Sequence, residues 1–152
     1  MCSRAVLLSL LLSCAYSTSL AATVYMEVTD DAGQPVEDAV ITLVPLDHPL
    51  PDRTNPHAAD DVDQVDKEFV PYVKVIQAGT TIKFPNRDNI QHQVYSFSAV
   101  KRFVIPLYVG TPAETVTFDR PGVVTLGCNI HDWMIAYVYI IETPWFGQTA
   151  TT

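Results

Sequence analysis

Apolar and polar residues alternate over many short stretches of the chain, which is the pattern of β-strands with one buried face. Turn-forming residues such as Gly, Pro, Asn and Asp separate these stretches at short intervals. No segment has the periodicity of a long amphipathic helix. The stretches that predict strands are 23–30, 39–45, two within 69–86, 92–97, 102–109, 114–119, 123–128 and 135–142. The pattern therefore predicts a single all-β domain, an antiparallel sandwich or barrel of about eight strands.

One segment, residues 46–67, departs from this pattern because it is rich in proline and carries a cluster of aspartates from Asp60 to Asp66. It predicts an exposed loop inserted in the domain, with little fixed structure. The segment before it, 28–45, is too short to bury a core of its own. We therefore expect that segment to supply the first strands of the same sandwich.

The first 21 residues have the features of a secretory signal peptide: the single basic residue Arg4, an apolar run, and small residues that end at Ala21. The apolar run is too short to cross a bilayer as a helix, and no other segment is long and apolar enough. The alternative is a lipoprotein signal, in which Cys14 becomes the lipidated N-terminus. We expect an exported protein whose mature domain spans residues 22–152.

The charge balance is acidic, with a formal net charge of −8 at pH 7. This argues against nucleic acid as a partner, because binding nucleic acid requires a basic surface. An acidic surface can steer a basic protein partner toward the molecule, or it can simply keep the protein soluble.

Cys128 is the only cysteine left once the signal peptide is removed, so it has no partner for a disulfide. One explanation is a buried, inert thiol. Its neighbours suggest another, since His131 follows three residues later and Met134 three residues after that. These residues fall where one predicted strand ends and the next begins. A loop that short can aim a thiolate, an imidazole and a thioether toward one point.

This donor set favours copper over other metals. Structural zinc sites use four strong ligands, iron–sulfur clusters use several cysteines, and hard cations prefer oxygen. A thiolate with two imidazoles and one weak thioether suits a copper ion that cycles between Cu(I) and Cu(II). Such a site needs a second histidine, and His92 fits best because it follows a turn-rich loop at the start of a predicted strand. His48 and His57 lie in the proline-rich segment and are expected to be exposed.

Two stretches resemble the cupredoxin (blue copper) family: "VIQAGTTIKFPNRD", which precedes His92, and "RPGVVTLGCNIHDWM". The resemblance covers about Phe69 to Glu142 and is to the plastocyanin and amicyanin branch. It is closer still to small periplasmic plastocyanin-like proteins labelled methylamine-utilisation proteins. It implies a Greek-key β-sandwich in the periplasm that binds one copper ion. The implied ligands are three strong donors and one axial thioether: His92, Cys128, His131 and Met134.

Three positions near these ligands bear on the site. Gln93 stands where plastocyanin-like sites usually have Asn, and Ile130 replaces the familiar proline before the second histidine. Ile130 therefore keeps a backbone N–H that could donate to Cys128 Sγ, which would raise the reduction potential. Trp133 is either an exposed aromatic residue on the metal face or a packing residue.

Three functions are compatible with these residues. The first is a non-enzymatic electron carrier that exchanges single electrons, through His131, with a c-type cytochrome or a periplasmic oxidoreductase. The alternative is a periplasmic copper protein for buffering, delivery or tolerance, with His48, His57 and the acidic segment as weak auxiliary ligands. The third is a hydrolase with Cys128 as nucleophile and His131 as base, but it gives Met134 no role and offers no evident oxyanion loop.

Overall fold

A computed structural model describes residues 23–51, 59–112 and 114–150, and within these ranges the chain contains no α-helix. All regular structure in them is β. The strands are β1 (Val40–Thr42), β2 (Ala59–Asp61), β3 (Asp63–Val65), β4 (Glu68–Val70), β5 (Val73–Gln77), β6 (Thr80–Lys83), β7 (His92–Phe97), β8 (Arg102–Tyr108), β9 (Val116–Phe118), β10 (Gly122–Gly127), β11 (Ile135–Ile141) and β12 (Phe146–Gln148).

Two sheets form the body of the domain. The larger has five strands in the order β5-β11-β10-β7-β8, and the smaller has three in the order β2-β6-β9. Most neighbours are antiparallel, while β5 runs parallel to β11 and β2 runs parallel to β6. These two sheets hold eight strands, so the prediction of an all-β Greek-key sandwich with about eight strands is confirmed.

The core lies between the two sheets because alternate residues of each strand point inward. In the larger sheet, β7, β10 and β11 each contribute a fully buried valine, at Val94, Val124 and Val138. In the smaller sheet, Ile82 and Phe118 are equally buried. Burying one such side chain stabilises the fold by about 1.5–3 kcal/mol. The apolar positions of the alternating pattern therefore mark the face of each strand that packs into the core.

The acidic segment is more ordered than its composition suggests. Residues 59–61 and 63–65 form β2 and β3, so the expected exposed loop is wrong for this part of 46–67. Val62 and Gln64 are 1% and 0% exposed, because they occupy the inward positions of a short alternating run. Two aspartates of the same run form ion pairs, Asp60 with Lys74 and Asp63 with Arg87.

The N-terminal segment also differs from expectation. Residues 23–30 form only an isolated bridge between Thr29 and Pro35 instead of a strand, since no neighbouring strand pairs with them. β1 pairs with β12 in a separate two-stranded sheet. The side chain of Thr149 ties this sheet together, donating to the carbonyl of Val36 and accepting from the N–H of Ala39. The N-terminal segment thus lies on the C-terminal segment and adds no strand to the two larger sheets.

The predicted signal peptide, with Cys14, lies outside the described residues, as does His57. Within the described ranges, no helix is long and apolar enough to cross a membrane.

Candidate metal centre

Three predicted ligands meet at one end of the larger sheet. The donor atoms of His92, Cys128 and His131 all lie within 4.8 Å of one another. Cys128 Sγ is 3.9 Å from His92 Nδ1 and 3.9 Å from His131 Nδ1. Metal–nitrogen and metal–sulfur bonds are about 2.0–2.3 Å long. These separations therefore suit a single ion that all three atoms contact.

Strand ends position the donors. His92 is the first residue of β7, and Cys128 directly follows β10, which pairs with β11. The loop between β10 and β11 is short and closed by backbone hydrogen bonds. The N–H of Met134 donates to the carbonyl of His131 at 2.9 Å, and the N–H of Cys128 donates to the carbonyl of Met134 at 3.3 Å. The loop conformation is thus held by the sheet on both sides.

Met134 is buried and belongs to the same core cluster as Cys128. Its backbone closes the ligand loop, and its thioether is a weak donor of the kind that occupies a long axial position in copper sites. Met134 as the axial ligand stays a prediction.

The two histidines differ in exposure. His92 is 0% exposed, whereas His131 is partly exposed at the end of the domain. The ring of His131 lies against that of Trp133, with 5.3 Å between their centroids. Trp133 is 65% exposed, so of its two interpretations the structure favours an exposed aromatic residue beside the ligand loop.

Asp88 is a neighbour of the candidate ligands that the sequence interpretation missed. Its carboxylate accepts a hydrogen bond from His92 Nε2 at 2.7 Å. It also accepts the backbone N–H groups of Asp66 and Lys67, at 2.7 and 2.9 Å. Because Nε2 carries this hydrogen, Nδ1 is the nitrogen of His92 that is free toward Cys128. The available signal was an aspartate four residues before a candidate ligand, since a ligating histidine usually donates the N–H of its other ring nitrogen to such a group.

The surroundings of Asp88 favour its ionised form. Burial acts to raise the pKa of its carboxyl, but the hydrogen bonds from His92, Lys67 and Asp66 together outweigh burial and lower the pKa. A carboxylate therefore faces the outer nitrogen of His92 at neutral pH.

Tyr108 is a second polar residue on this side of the site. It is the cross-strand partner of His92, and its hydroxyl donates to the carbonyl of Phe84 and contacts the side-chain amide of Gln64. Burial raises the pKa of Tyr108 to about 12, while the hydrogen bond with Gln64 acts in the opposite direction. The hydroxyl is thus a neutral donor near the metal ligands across the physiological range.

The backbone N–H of Ile130 was expected to donate a hydrogen bond to the sulfur of Cys128. In the part of the chain that the structure describes, the Ile130 N–H makes no hydrogen bond with Cys128 Sγ, and Ile130 is 48% exposed. The expected hydrogen bond from the Ile130 N–H to the sulfur is therefore wrong.

His48 is exposed, as expected, and lies beside Asp47 away from the three-residue cluster.

No protein-family model and no curated protein sequence matches this chain. Among solved structures, a Cu-containing nitrite reductase from Thermus scotoductus SA-01 aligns with a TM-score of 0.51 at 24% identity, over 77% of this chain and 25% of that one. The chain thus spans about a quarter of that reductase. A reduced amicyanin variant aligns at 0.49 and 22% identity, over 55% of this chain and 82% of that one. A purple cupredoxin from Nitrosopumilus maritimus aligns at 0.48 and 20% identity, over 55% and 99%.

The chain has a cupredoxin fold. The two-sheet architecture and the likeness to the reductase carry this conclusion, and they confirm the resemblance seen in the sequence at the level of the fold. Within the cupredoxin fold, the cluster offers one sulfur and two imidazole nitrogens. The nearby carboxylate of Asp88 is engaged with His92. This soft and borderline donor set fits copper and makes the cluster a candidate copper site.

Proposed function

We propose that this protein is a periplasmic type 1 copper protein that carries single electrons between redox partners. His92, Cys128 and His131 are its strong ligands, and Met134 is its axial ligand. The observation that carries the proposal is the position of Cys128 Sγ, 3.9 Å from Nδ1 of both histidines. Copper bound there supplies a one-electron couple between Cu(I) and Cu(II).

The surrounding protein suits rapid electron exchange. Two of the ligands are attached to paired strands of the larger sheet, and Cys128 and His92 are buried in the core. Ligands held this firmly move little when the charge of the metal changes. Asp88 fixes the ring of His92, and the short loop with its backbone hydrogen bonds fixes Cys128 and His131.

The route for the electron in this proposal is His131. It is the more exposed of the two histidines, and the exposed side chains of Ile130 and Trp133 flank it. An apolar patch of this kind suits a small, transient interface. The net charge of −8 favours a partner with a basic surface, such as a c-type cytochrome or a periplasmic oxidoreductase.

The structure gives less support to the other functions. Two aspartates of the acidic segment, Asp60 and Asp63, are paired with Lys74 and Arg87, so they are poor auxiliary metal ligands for copper buffering or delivery. Cys128 is 3% exposed, which hinders its attack on a substrate as a hydrolytic nucleophile. We therefore propose that the protein is not an enzyme.

A copper titration with visible spectroscopy tests the proposal. One Cu(II) per chain is expected to give an intense visible band from thiolate-to-copper charge transfer, and Cys128→Ser is expected to abolish it. His48→Ala is the matched control and is expected to keep the band, since His48 lies away from the cluster. If Cu(II) gives the wild-type protein no such band, the type 1 assignment is wrong. Reversible one-electron oxidation in voltammetry is the second requirement.

A further inference from the structure

One carboxylate connects the buried histidine to a distant turn of the chain. Asp88 accepts His92 Nε2 through Oδ2, and it accepts the N–H groups of Asp66 and Lys67 through Oδ1 and Oδ2. Asp66 and Lys67 are more than 20 residues from Asp88 in the sequence. The carboxylate thus accepts three hydrogen bonds, two from a turn and one from a candidate metal ligand.

The turn has an unusual backbone. Asp66 and Lys67 form the two-residue connection between β3 and β4, where Val65 pairs with Glu68. Both turn residues have positive φ, 53° and 62°, although neither is glycine. This is the conformation of a type I′ hairpin turn. Two left-handed residues in a row are uncommon outside Gly and Asn, and here both N–H groups meet one anion, which offsets their strain.

The hairpin of β3 and β4 is also bound to the segment that leads to His92. The N–H of Gln64 donates to the carbonyl of Pro85, and the N–H of Arg87 donates to the carbonyl of Gln64, both at 2.8 Å. The side chain of Arg87 pairs with Asp63 at 2.9 Å. The hairpin and residues 85–88 therefore form one hydrogen-bonded unit, and Asp88 is the residue of this unit that contacts His92 directly.

We propose that the β3–β4 turn regulates the metal site through Asp88, so that the order of the turn and the Cu(II)-over-Cu(I) preference of the site depend on each other. This inference rests on the proposed copper site. Asp88 is a positioning residue: it touches His92 and not the metal. A carboxylate that accepts the outer N–H of an imidazole orients the ring and makes Nδ1 a stronger donor, which favours the more highly charged ion.

The coupling is reciprocal by thermodynamic necessity. A metal on Nδ1 draws electron density from the ring of His92, which makes its Nε2–H a stronger hydrogen-bond donor to Asp88. Metal binding also fixes the ring, and with it the carboxylate that holds the N–H groups of Asp66 and Lys67. The amides of the turn are thus expected to open less often when the metal is bound.

Replacement of Asp88 tests the effect on the metal. In Asp88→Asn, Cu(II) affinity is expected to fall about 10–100-fold. Cu(I) affinity is expected to fall less, so the reduction potential rises. Both affinities are measured by competition with chelators specific for each oxidation state. Asp66→Asn is the matched control: it removes one charge from the same turn, keeps the backbone N–H, and leaves the Asp88–His92 hydrogen bond intact. Equal changes in the two variants, or an equal fall in both affinities, would overturn the inference.

Amide hydrogen exchange on the unaltered protein tests the reciprocal effect. Loading with diamagnetic Cu(I) is expected to slow exchange at Asp66 and Lys67 about 10-fold or more, as for one strengthened charged hydrogen bond. Ala32 and Gln34 are the control amides, because they donate to the carboxylate of Asp30 in a turn of the N-terminal segment. Slowing that is equal at all four amides, or absent at all four, would overturn the coupling.

A metal-free measurement separates this inference from the copper assignment. In the metal-free protein, Asp88→Asn is expected to speed exchange at Asp66 and Lys67 about 10-fold, with no change at Ala32 and Gln34. If wild-type protein fails to bind copper while this difference is present, the proposed function is wrong and the link from Asp88 to the turn stands. If copper binds with its visible band and this difference is absent, the copper site stands and the coupling is wrong.

Discussion

The two histidines of the candidate copper site lie in opposite surroundings. His92 is on a sheet strand, is fully buried, and donates its Nε2–H to Asp88. His131 is on a loop, is partly exposed, and lies against the exposed ring of Trp133. Two imidazoles thus lie on either side of Cys128 Sγ, and they differ in burial, in hydrogen bonding and in the element that carries them.

The difference follows from the cost of burying a polar group. A buried N–H without an acceptor destabilises a protein by about 1–3 kcal/mol, so a buried histidine needs a partner such as Asp88. A partly exposed histidine can use water as its partner and needs none from the protein. Under the proposed function, the buried side would hold the geometry of the site and the exposed side would contact a redox partner.

The largest expected effect comes from deleting each histidine in turn. In the metal-free protein, His92→Ala is expected to lower the free energy of unfolding by about 3 kcal/mol, because it leaves a cavity and removes a buried partner of Asp88. His131→Ala is expected to lower it by less than about 1 kcal/mol, as is usual at a partly exposed position. Urea denaturation measures both. Equal losses in the two variants would show that the two histidines contribute equally to the free energy of unfolding.

The next effect concerns pH and again falls on the buried side. Tyr108 has a pKa of about 12 in the folded protein, and burial is the main cause; its ordinary value is 10.0. Between these values the unfolded chain releases the proton while the folded protein keeps it. Stability that is complete below pH 10 therefore falls as the pH rises toward 12, by about 2 kcal/mol.

Urea denaturation between pH 9 and pH 11.5 measures this loss, with Tyr108→Phe as the comparison. The variant has no phenol to titrate, so its stability is expected to change less over the same range. Parallel profiles for the two proteins would mean that the hydroxyl of Tyr108 titrates in the folded state as it does in water.

The sequence placed Cys128 and His131 in one loop, and it identified only part of the buried side of the site. Cys128, His131 and Met134 lie within seven residues, so their spacing alone places them in one loop. His92 could be chosen because it begins an alternating run after a turn. These signals are local, because each depends only on residues that are close together in the sequence and not on the rest of the fold.

Asp88 lies four residues before His92, so its contact with that histidine had a local signal, but its contact with the turn had none. That second contact involves Asp66 and Lys67, which are far away in sequence and adopt positive φ values that their residue types do not predict. The acidic composition of 46–67 also concealed the inward alternation of Val62 and Gln64, and with it the hairpin that carries the turn. Composition describes the exposed face of that segment, while the structure depends on the face that is buried.

The position of Cys128 Sγ between the two histidines is expected to depend on the close packing of Tyr95 against Gly127. A Cβ at this position would lie 2.7 Å from Cζ of Tyr95, the cross-strand neighbour of Gly127. Gly127→Ala must therefore displace the outer end of the partly exposed Tyr95 ring, and we expect it to lower stability by about 1 kcal/mol. Gly147→Ala is the matched control, because no heavy atom lies within 4 Å of its added Cβ.

A double-mutant cycle identifies the cause of that loss. When Tyr95→Ala removes the ring, Gly127→Ala is expected to raise stability by about 0.5 kcal/mol, since the close contact has gone and Gly127 does not need a positive φ. Urea denaturation of the four proteins in the cycle gives the coupling. An equal cost of Gly127→Ala with and without the ring would assign the loss to the backbone of β10, and not to Tyr95.

The smallest effect on stability, and the most specific effect on function, is expected on the exposed side. Trp133→Ala removes a side chain that is mostly in solvent, so stability is expected to change by less than about 0.5 kcal/mol. The visible band of the copper-loaded protein is expected to stay, because no predicted ligand is altered. Electron exchange with a reduced c-type cytochrome is expected to slow about 10-fold, as for loss of an aromatic contact in a small interface.

Stopped-flow absorbance measures this rate, and Trp145→Ala is the matched control. Trp145 is also exposed, but it lies beside β12, in the part of the domain that joins the N- and C-terminal segments. If the two variants slow electron exchange equally, the exposed face beside His131 is not the docking site. If Trp133→Ala also weakens copper binding, the exposed side helps to hold the copper ligands as well as to contact a partner. The proposed division of roles between the two histidines would then be wrong.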